Sequence, residues 1–197
     1  MSSTPTPLEQ LSKKYVDFKD FSNEITTDGL IAVKSSTSKW GLFDLHQGKL
    51  VAKLLYTSIR PTRKKSQLYL ELQCGEFRGL FHIPSRRVIL GAARYYSILE
   101  ISEELFHLVD QHKRCFIFRV NDHAVIGDDG YASIEWAEDH IAVYKNGKQG
   151  WLDRQTAEEI VPLRYVSIIP LASGWFTVLS EFGKPGRLFH PQQGEIS

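Results

Sequence analysis

Seven histidines, His46, His82, His107, His112, His123, His140 and His190, are the residues best suited to hold a metal. Three of them, His46, His82 and His190, lie three to five residues after glycines Gly41, Gly79 and Gly186. A ring of repeats would gather such positions, and clustered imidazoles ligate zinc. No carboxylate or cysteine recurs at a matching offset, so turn and strand histidines are the plainer reading and no metal is expected. A hydrolase needs one nucleophile with a base and an orienting acid. Ser58, Ser97, Ser133 and Ser167 instead recur with the surrounding pattern, which fits a packing or turn role. The chain has no G-x-S-x-G, no H-E-x-x-H and no phosphate-binding glycine loop. Asp128-Asp129-Gly130 is a fragment of a calcium loop without its other ligands, and reads as a turn. Cys74 and Cys115 have no metal-like spacing and read as small structural thiols. These residues predict a protein that is not an enzyme and carries no cofactor. A hydrolase or carbohydrate-active enzyme on a β scaffold is the alternative.

Charge offers a second kind of chemistry. The net charge is +1, which gives no global pull toward nucleic acid or acidic membranes. Its distribution is uneven. Residues 60–94 hold eight basic and two acidic side chains, and residues 100–139 hold three basic and ten acidic ones. Consecutive solvated faces would produce this, and so would a dipolar molecule that meets a partner. On the second reading Arg60, Arg63, Lys64, Lys65, Arg86 and Arg87 form the partner-binding set, facing an acidic protein or phosphates. No aromatic platform interleaves with them, so nucleic acid is the weaker partner.

These side chains need a scaffold, and the scaffold is repetitive. Lys39-Trp40-Gly41-Leu42-Phe43-Asp44 is followed by Gly48-Lys49-Leu50-Val51 and Tyr56-Thr57-Ser58-Ile59. Arg78-Gly79-Leu80-Phe81-His82 leads in the same way to Tyr95-Tyr96-Ser97-Ile98, and Gln149-Gly150-Trp151-Leu152-Asp153 to Tyr165-Val166-Ser167-Ile168. A degenerate copy has Phe116 in the glycine position and Tyr131 downstream, and the chain ends on a copy at Gly186. The anchors Gly41, Gly79, Phe116, Gly150 and Gly186 are 38, 37, 34 and 36 residues apart. An apolar alternating segment precedes each anchor: Ile31–Val33, Tyr69 to Leu72, Phe106–Leu108, Ile141–Val143 and Phe176–Val178. Asn146-Gly147 supplies a hairpin turn between two such segments. The anchor glycine predicts a bulge or a close backbone approach.

The expected fold is all-β, with about five tandem hairpin or three-strand repeats of about 36 residues, stacked so that neighbours complete one another's cores. Residues 1–14 are expected to be a polar tail or short helix, and 15–197 a single array. Phe21-Ser22-Asn23-Glu24-Ile25 echoes Tyr56 to Ile59, so the chain reads as opening on the back half of a unit and closing on the front half of one. The array is then either a closed toroid or an open β-superhelix.

Lys39 to Asp44 and Gly147 to Asp153 resemble the motif of bacterial WG-repeat proteins: N-G-K-W-G, an aromatic, an aliphatic and Asp, then G-K and a downstream tyrosine. The resemblance spans residues 15–197. Tryptophan before the glycine is kept only at Trp40, and the Asp becomes His82, Arg119 and Phe189 elsewhere. The family shares no catalytic residues, so the resemblance implies a β-repeat scaffold and leaves the activity open. The resulting expectation is a cytoplasmic, non-catalytic protein-binding scaffold, in its sharper form an immunity or adaptor protein for another bacterial protein. No apolar run long enough to cross a bilayer is present. Changing Arg63, Lys64 and Lys65 together to Glu is expected to abolish partner capture in a pull-down and to leave the thermal midpoint unchanged. A loss of folding would make this segment structural instead.

Overall fold

The structure, a computed structural model, describes residues 11–21, 29–62 and 66–196. Its chain divides into two compact units, Met1–Glu103 and Glu104–Ser197. The first holds β1 (Asp17–Asp20), β2 (Leu30–Lys34), β3 (Trp40–Asp44), β4 (Lys49–Tyr56), β5 (Ser58–Pro61), β6 (Tyr69–Cys74), β7 (Phe77–His82) and β8 (Arg87–Glu100). β1 to β4 form one antiparallel meander, and β5 to β8 lie side by side in the same order. The second unit holds β9 (Leu105–Asp110), β10 (Cys115–Arg119) and β11 (Ala124–Tyr131), again in sequence order. Two further meanders follow: β12 (Ser133–Trp136), β13 (His140–Lys145), β14 (Lys148–Asp153) and β15 (Glu159–Tyr165), then β16 (Ser167–Pro170), β17 (Phe176–Leu179), β18 (Arg187–His190) and β19 (Gly194–Ile196). Among the described residues no helix is long and apolar enough to cross a membrane.

Every apolar segment expected before an anchor is a strand: β2, β6, β9, β13 and β17. The anchors lie at the second or third residue of β3, β7, β10 and β14, while Gly186 sits just before β18. The meanders have four strands rather than three. The segment after three of the tyrosines turns away and starts a new sheet, so Ser58-Ile59, Ser133-Ile134 and Ser167-Ile168 begin β5, β12 and β16, whereas Ser97-Ile98 continues β8. The same backbone bond marks each junction. Thr57 N–H donates to Gln73 O (2.7 Å), Ala132 N–H to Tyr144 O (2.8 Å) and Val166 N–H to Leu179 O (2.7 Å). Val16 N–H donates to Lys34 O in the same way (2.9 Å). Tyr15-Val16-Asp17-Phe18 therefore plays the part expected of Phe21 to Ile25, of which Ser22 to Ile25 lie outside the described residues.

The anchor glycines explain the register. Trp40, Arg78, Cys115 and Gln149, each one residue before an anchor, pair with Tyr56, Tyr95, Tyr131 and Tyr165, and the register slips immediately afterwards. The fourth strand carries extra residues there and bulges toward the glycine. A Cβ on Gly41 would lie 2.8 Å from Ala52 O, one on Gly79 2.4 Å from Leu90 O, and one on Gly150 2.8 Å from Leu163 Cα. The copy with Phe116 reverses the arrangement. There Gly127 (φ 118°) and Gly130 (φ 96°) sit on β11, the strand that follows and pairs with β10, and a Cβ on Gly130 would come within 2.9 Å of the Phe116 ring. Space for the crossing comes from the opposite strand.

Packing joins one face of a sheet to the other face of the next. In the first unit Leu30, Ala32, Leu42 and Ala52 meet Ile59, Leu70, Leu72 and Phe81. In the second, Ala142, Trp151, Val161 and Tyr165 meet Ile168, Phe176, Val178 and Phe189, and Ile117 and Tyr131 meet Ile141 and Val143. Turns after the third strand are tied by carboxylates. Asp44 Oδ1 accepts from the N–H of His46 (2.8 Å) and Gln47 (3.0 Å), and Asp153 Oδ1 from Gln155 (2.8 Å) and Thr156 (2.7 Å). Where the Asp is missing, His82 bonds Ser85 Oγ (2.9 Å) and Arg119 pairs with Asp122 (2.7 Å). The motif aspartate is thus a turn residue.

Gly79→Val forces a branched side chain onto the β8 backbone and is expected to cost about 2–3 kcal/mol in urea unfolding. Gly91→Ala, across the bulge, adds a methyl that meets nothing within 4 Å and is expected to change stability by less than about 0.5 kcal/mol. Equal stability of the two variants would show that the fourth strand yields freely.

Candidate functional site

Aligned by register, the β1–β4 and β12–β15 sheets each carry a cross-strand row on the face that the following sheet covers. The first sheet has Lys19, Ala32, Leu42 and Ala52; the β12–β15 sheet has Glu135, Ala142, Trp151 and Val161. The inner members of these rows are small or apolar and buried. In β5–β8 the row reads Arg60, Glu71, Leu80 and Leu90. A carboxylate thus occupies the place of Ala32 and Ala142. The residue before the anchor changes with it, from Trp40 and Gln149 to Arg78.

These departures build a cleft of about 450 Å³ in the first unit. One wall is Arg60, Thr62, Glu71 and Arg78; the other is the end of β8, from Tyr96 to Glu100. Glu71 is 8% exposed and Glu100 5%. Burying a carboxylate is costly unless it is paired, and both are paired. Arg60 donates to Glu71 Oε1 through Nε (3.0 Å) and Nη2 (2.7 Å), and Arg78 Nη1 donates to the same oxygen. Arg78 Nε is held in turn by Tyr96 O (2.7 Å). Thr62 Oγ1 donates to Glu100 Oε2 (2.6 Å). Tyr96 and Leu99, 39% and 50% exposed, stand at the rim. The cleft therefore offers two guanidinium groups, two buried carboxylates and an apolar edge, with no histidine or cysteine among its lining residues.

The partner-binding set read from the sequence does not stay together as a free basic patch. Arg60 lines the cleft and its charge is engaged by Glu71. Arg86 sits at φ 56° in the turn before β8 and pairs with buried Asp44 (3.6 Å), which makes it part of the turn structure. Arg87 is exposed at the start of β8. Arg63, Lys64 and Lys65 lie outside the described residues. Glu71, Arg78 and Glu100 were not singled out by sequence. The signal that finds them is the repeat itself, once Glu71 is set in register with Ala32 and Ala142.

The histidines are dispersed among ring contacts and turns. His140 stacks on Trp151 at 3.6 Å, His190 lies 5.0 Å from Trp175 and His123 6.3 Å from Phe118. His107 packs by Trp136, and burial pushes its imidazole pKa below the usual value. Among the described residues no three His, Cys, Asp or Glu side chains converge as a metal site.

No family model and no curated protein matches the chain. Solved structures with a similar course include Kluyveromyces lactis Hsv2 with its complete loop 6CD, at 14% identity and a TM-score of 0.35, over 93% of this chain and 62% of that one. The computationally designed Ika8 protein is similar at 8% identity and a TM-score of 0.34, over 86% of this chain and 58% of that one. The C-terminal WD40 domain of Sif2 is similar at 11% identity and a TM-score of 0.32, over 84% and 53%. This chain spans less than two thirds of each of these chains.

Glu71→Ala leaves two guanidinium groups facing each other over the gap. Because Arg60 is 40% and Arg78 26% exposed, water screens much of that repulsion. The expected cost is about 1–2 kcal/mol in urea unfolding, well below the ~3–5 kcal/mol of a fully buried broken pair. A neutral result would show that the network is not part of the folded core.

Proposed function

We propose that the chain is a non-catalytic protein-binding scaffold, a WG-like repeat array in which one sheet has been altered to receive a partner. The observation that carries this reading is the charged row in β5–β8. The place of buried Ala32 and Ala142 holds Glu71 here, and Arg78 stands where Trp40 and Gln149 do, beside buried Glu100. A fold that departs from its own packing pattern at the cost of burying carboxylates, as β5–β8 does, does so where function needs it. The rim residues Tyr96 and Leu99 give a partner apolar and aromatic contact, which is the composition of interface centres. Each charged group has its counter-charge or hydroxyl in place, and this suits recognition. An immunity or adaptor role toward another bacterial protein is the sharper form of the same proposal.

Leu99→Asp changes a half-exposed rim residue. The partner recovered from the native host and then purified is expected to bind this variant at least tenfold more weakly, with thermal stability unchanged. Leu188→Asp, 45% exposed on β18, serves as the control and is expected to retain binding. Equal binding by both variants would place the interface elsewhere. Turnover of a glycoside or ester that Glu100→Gln abolishes would overturn the non-catalytic reading.

A further inference from the structure

The cleft is electrically split. At one end Arg60 and Arg78 bring two positive charges to the single carboxylate of Glu71. That end keeps one unit of positive charge, and Arg60 Nη1 and Arg78 Nη2 take no part in the bonds to Glu71 and Tyr96. At the other end Glu100 uses Oε2 on the Thr62 hydroxyl, and Oε1 accepts no hydrogen bond among the described residues. Glu100 is 95% buried and lines the cleft. The four charged side chains sum to zero.

A ligand with one charge fits poorly here. An anion on the arginines would leave the Glu100 end unmatched and bring a third negative charge beside two carboxylates, and a cation on Glu100 would face two guanidinium groups. Resting on the reading that this cleft is the binding site, we infer that its ligand is a zwitterion, with a carboxylate held by Arg60 and Arg78 and a primary ammonium held by Glu100. An α-amino acid carries these two charges, with its nitrogen about 2.5 Å from its carboxylate carbon. A peptide that ends in lysine carries the same two charges on a longer tether, so the chemistry has two sources: a free amino acid or a partner's chain end. The cleft volume of about 450 Å³ accommodates either.

Titration calorimetry on the full chain decides between them. The probes are alanine, alaninamide and N-acetylalanine, together with acetyl-Ala-Ala-Lys, its C-terminal amide and acetyl-Ala-Ala-norleucine. One of the two zwitterions is expected to bind, and to lose at least tenfold in affinity when either charge is removed. Arg60→Gln and Glu100→Gln are each expected to weaken it by at least tenfold, with unchanged melting as the check on folding. If Glu100→Gln fails to fold, Arg60→Gln and the probe series still decide. Binding by neither zwitterion at millimolar concentration, or equal binding by the charge-deleted probes, overturns the inference. Loss of partner capture in Leu99→Asp without zwitterion binding rejects the zwitterion and leaves the docking surface standing. Zwitterion binding with partner capture untouched rejects the docking surface alone.

Discussion

The fourth strand of a meander crosses the third so closely at one point that no side chain fits between them. At Gly41, Gly79 and Gly150 the opposing atoms are backbone, 2.4–2.8 Å from where a Cβ would stand. Backbone cannot rotate away as a side-chain end can. The contact therefore fixes which residue is glycine, and it forces the extra residues of the fourth strand into a bulge. The bulge sets the tyrosine opposite the residue before the anchor, at Tyr56, Tyr95, Tyr131 and Tyr165. Those tyrosines are buried, and the chain beyond Tyr56, Tyr131 and Tyr165 bends into the first strand of another sheet. Close approach, register, bulge and sheet junction are one linked device. The copy with Phe116 obeys the same constraint from the other side, because Gly130 frees the space that its ring occupies and Gly127 makes room for the ring of Tyr131.

Much of this was legible in the sequence because it repeats. Glycine at a fixed phase, a tyrosine some 15 residues on and an alternating segment ten residues before it are correlated signals, and the strands fell where those signals put them. The strand count was not legible. β5, β12 and β16 are four residues each and follow their tyrosine after a single residue, so by pattern they belong to the unit behind them. Only the backbone pairing, such as Ile59 with Leu72, assigns them forward. The N-terminal junction was misplaced for a related reason. Phe21-Ser22 mimics Tyr56-Thr57 in residue type, but the bond from Val16 N–H to Lys34 O gives Tyr15 the role.

The site was legible in part. Arg60 stood out through the basic excess around it, yet its guanidinium is directed at Glu71. Glu71 itself, between Leu70 and Leu72 in an alternating strand, reads as a solvated position. Alternation predicts which residues share a face and leaves open which face another sheet covers. In β5–β8 the charged residues are on the side whose counterpart is covered in the neighbouring repeats, and this is what makes them costly and informative.

The acidic stretch shows how a count of charges along the chain misstates the field around the fold. Asp110 is buried and belongs to its turn. Burial alone would raise its pKa, but the Arg114 side chain and the N–H groups of Arg114 and His112 outweigh that and hold the carboxyl below its ordinary value. Asp122 is gripped by Arg119, which draws its pKa down to about 2. Asp129 pairs with Lys145 and Asp139 with His140, across or beside hairpins. Exposed pairs of this kind contribute little stability, but Asp122 with Arg119 and Asp129 with Lys145 cancel charge locally within the Debye length. Several carboxylates of residues 100–139 are therefore tied to turns and neighbouring strands. Glu100, inside the cleft with one oxygen uncommitted among the described residues, is the member of that stretch whose charge faces a space that a ligand can enter.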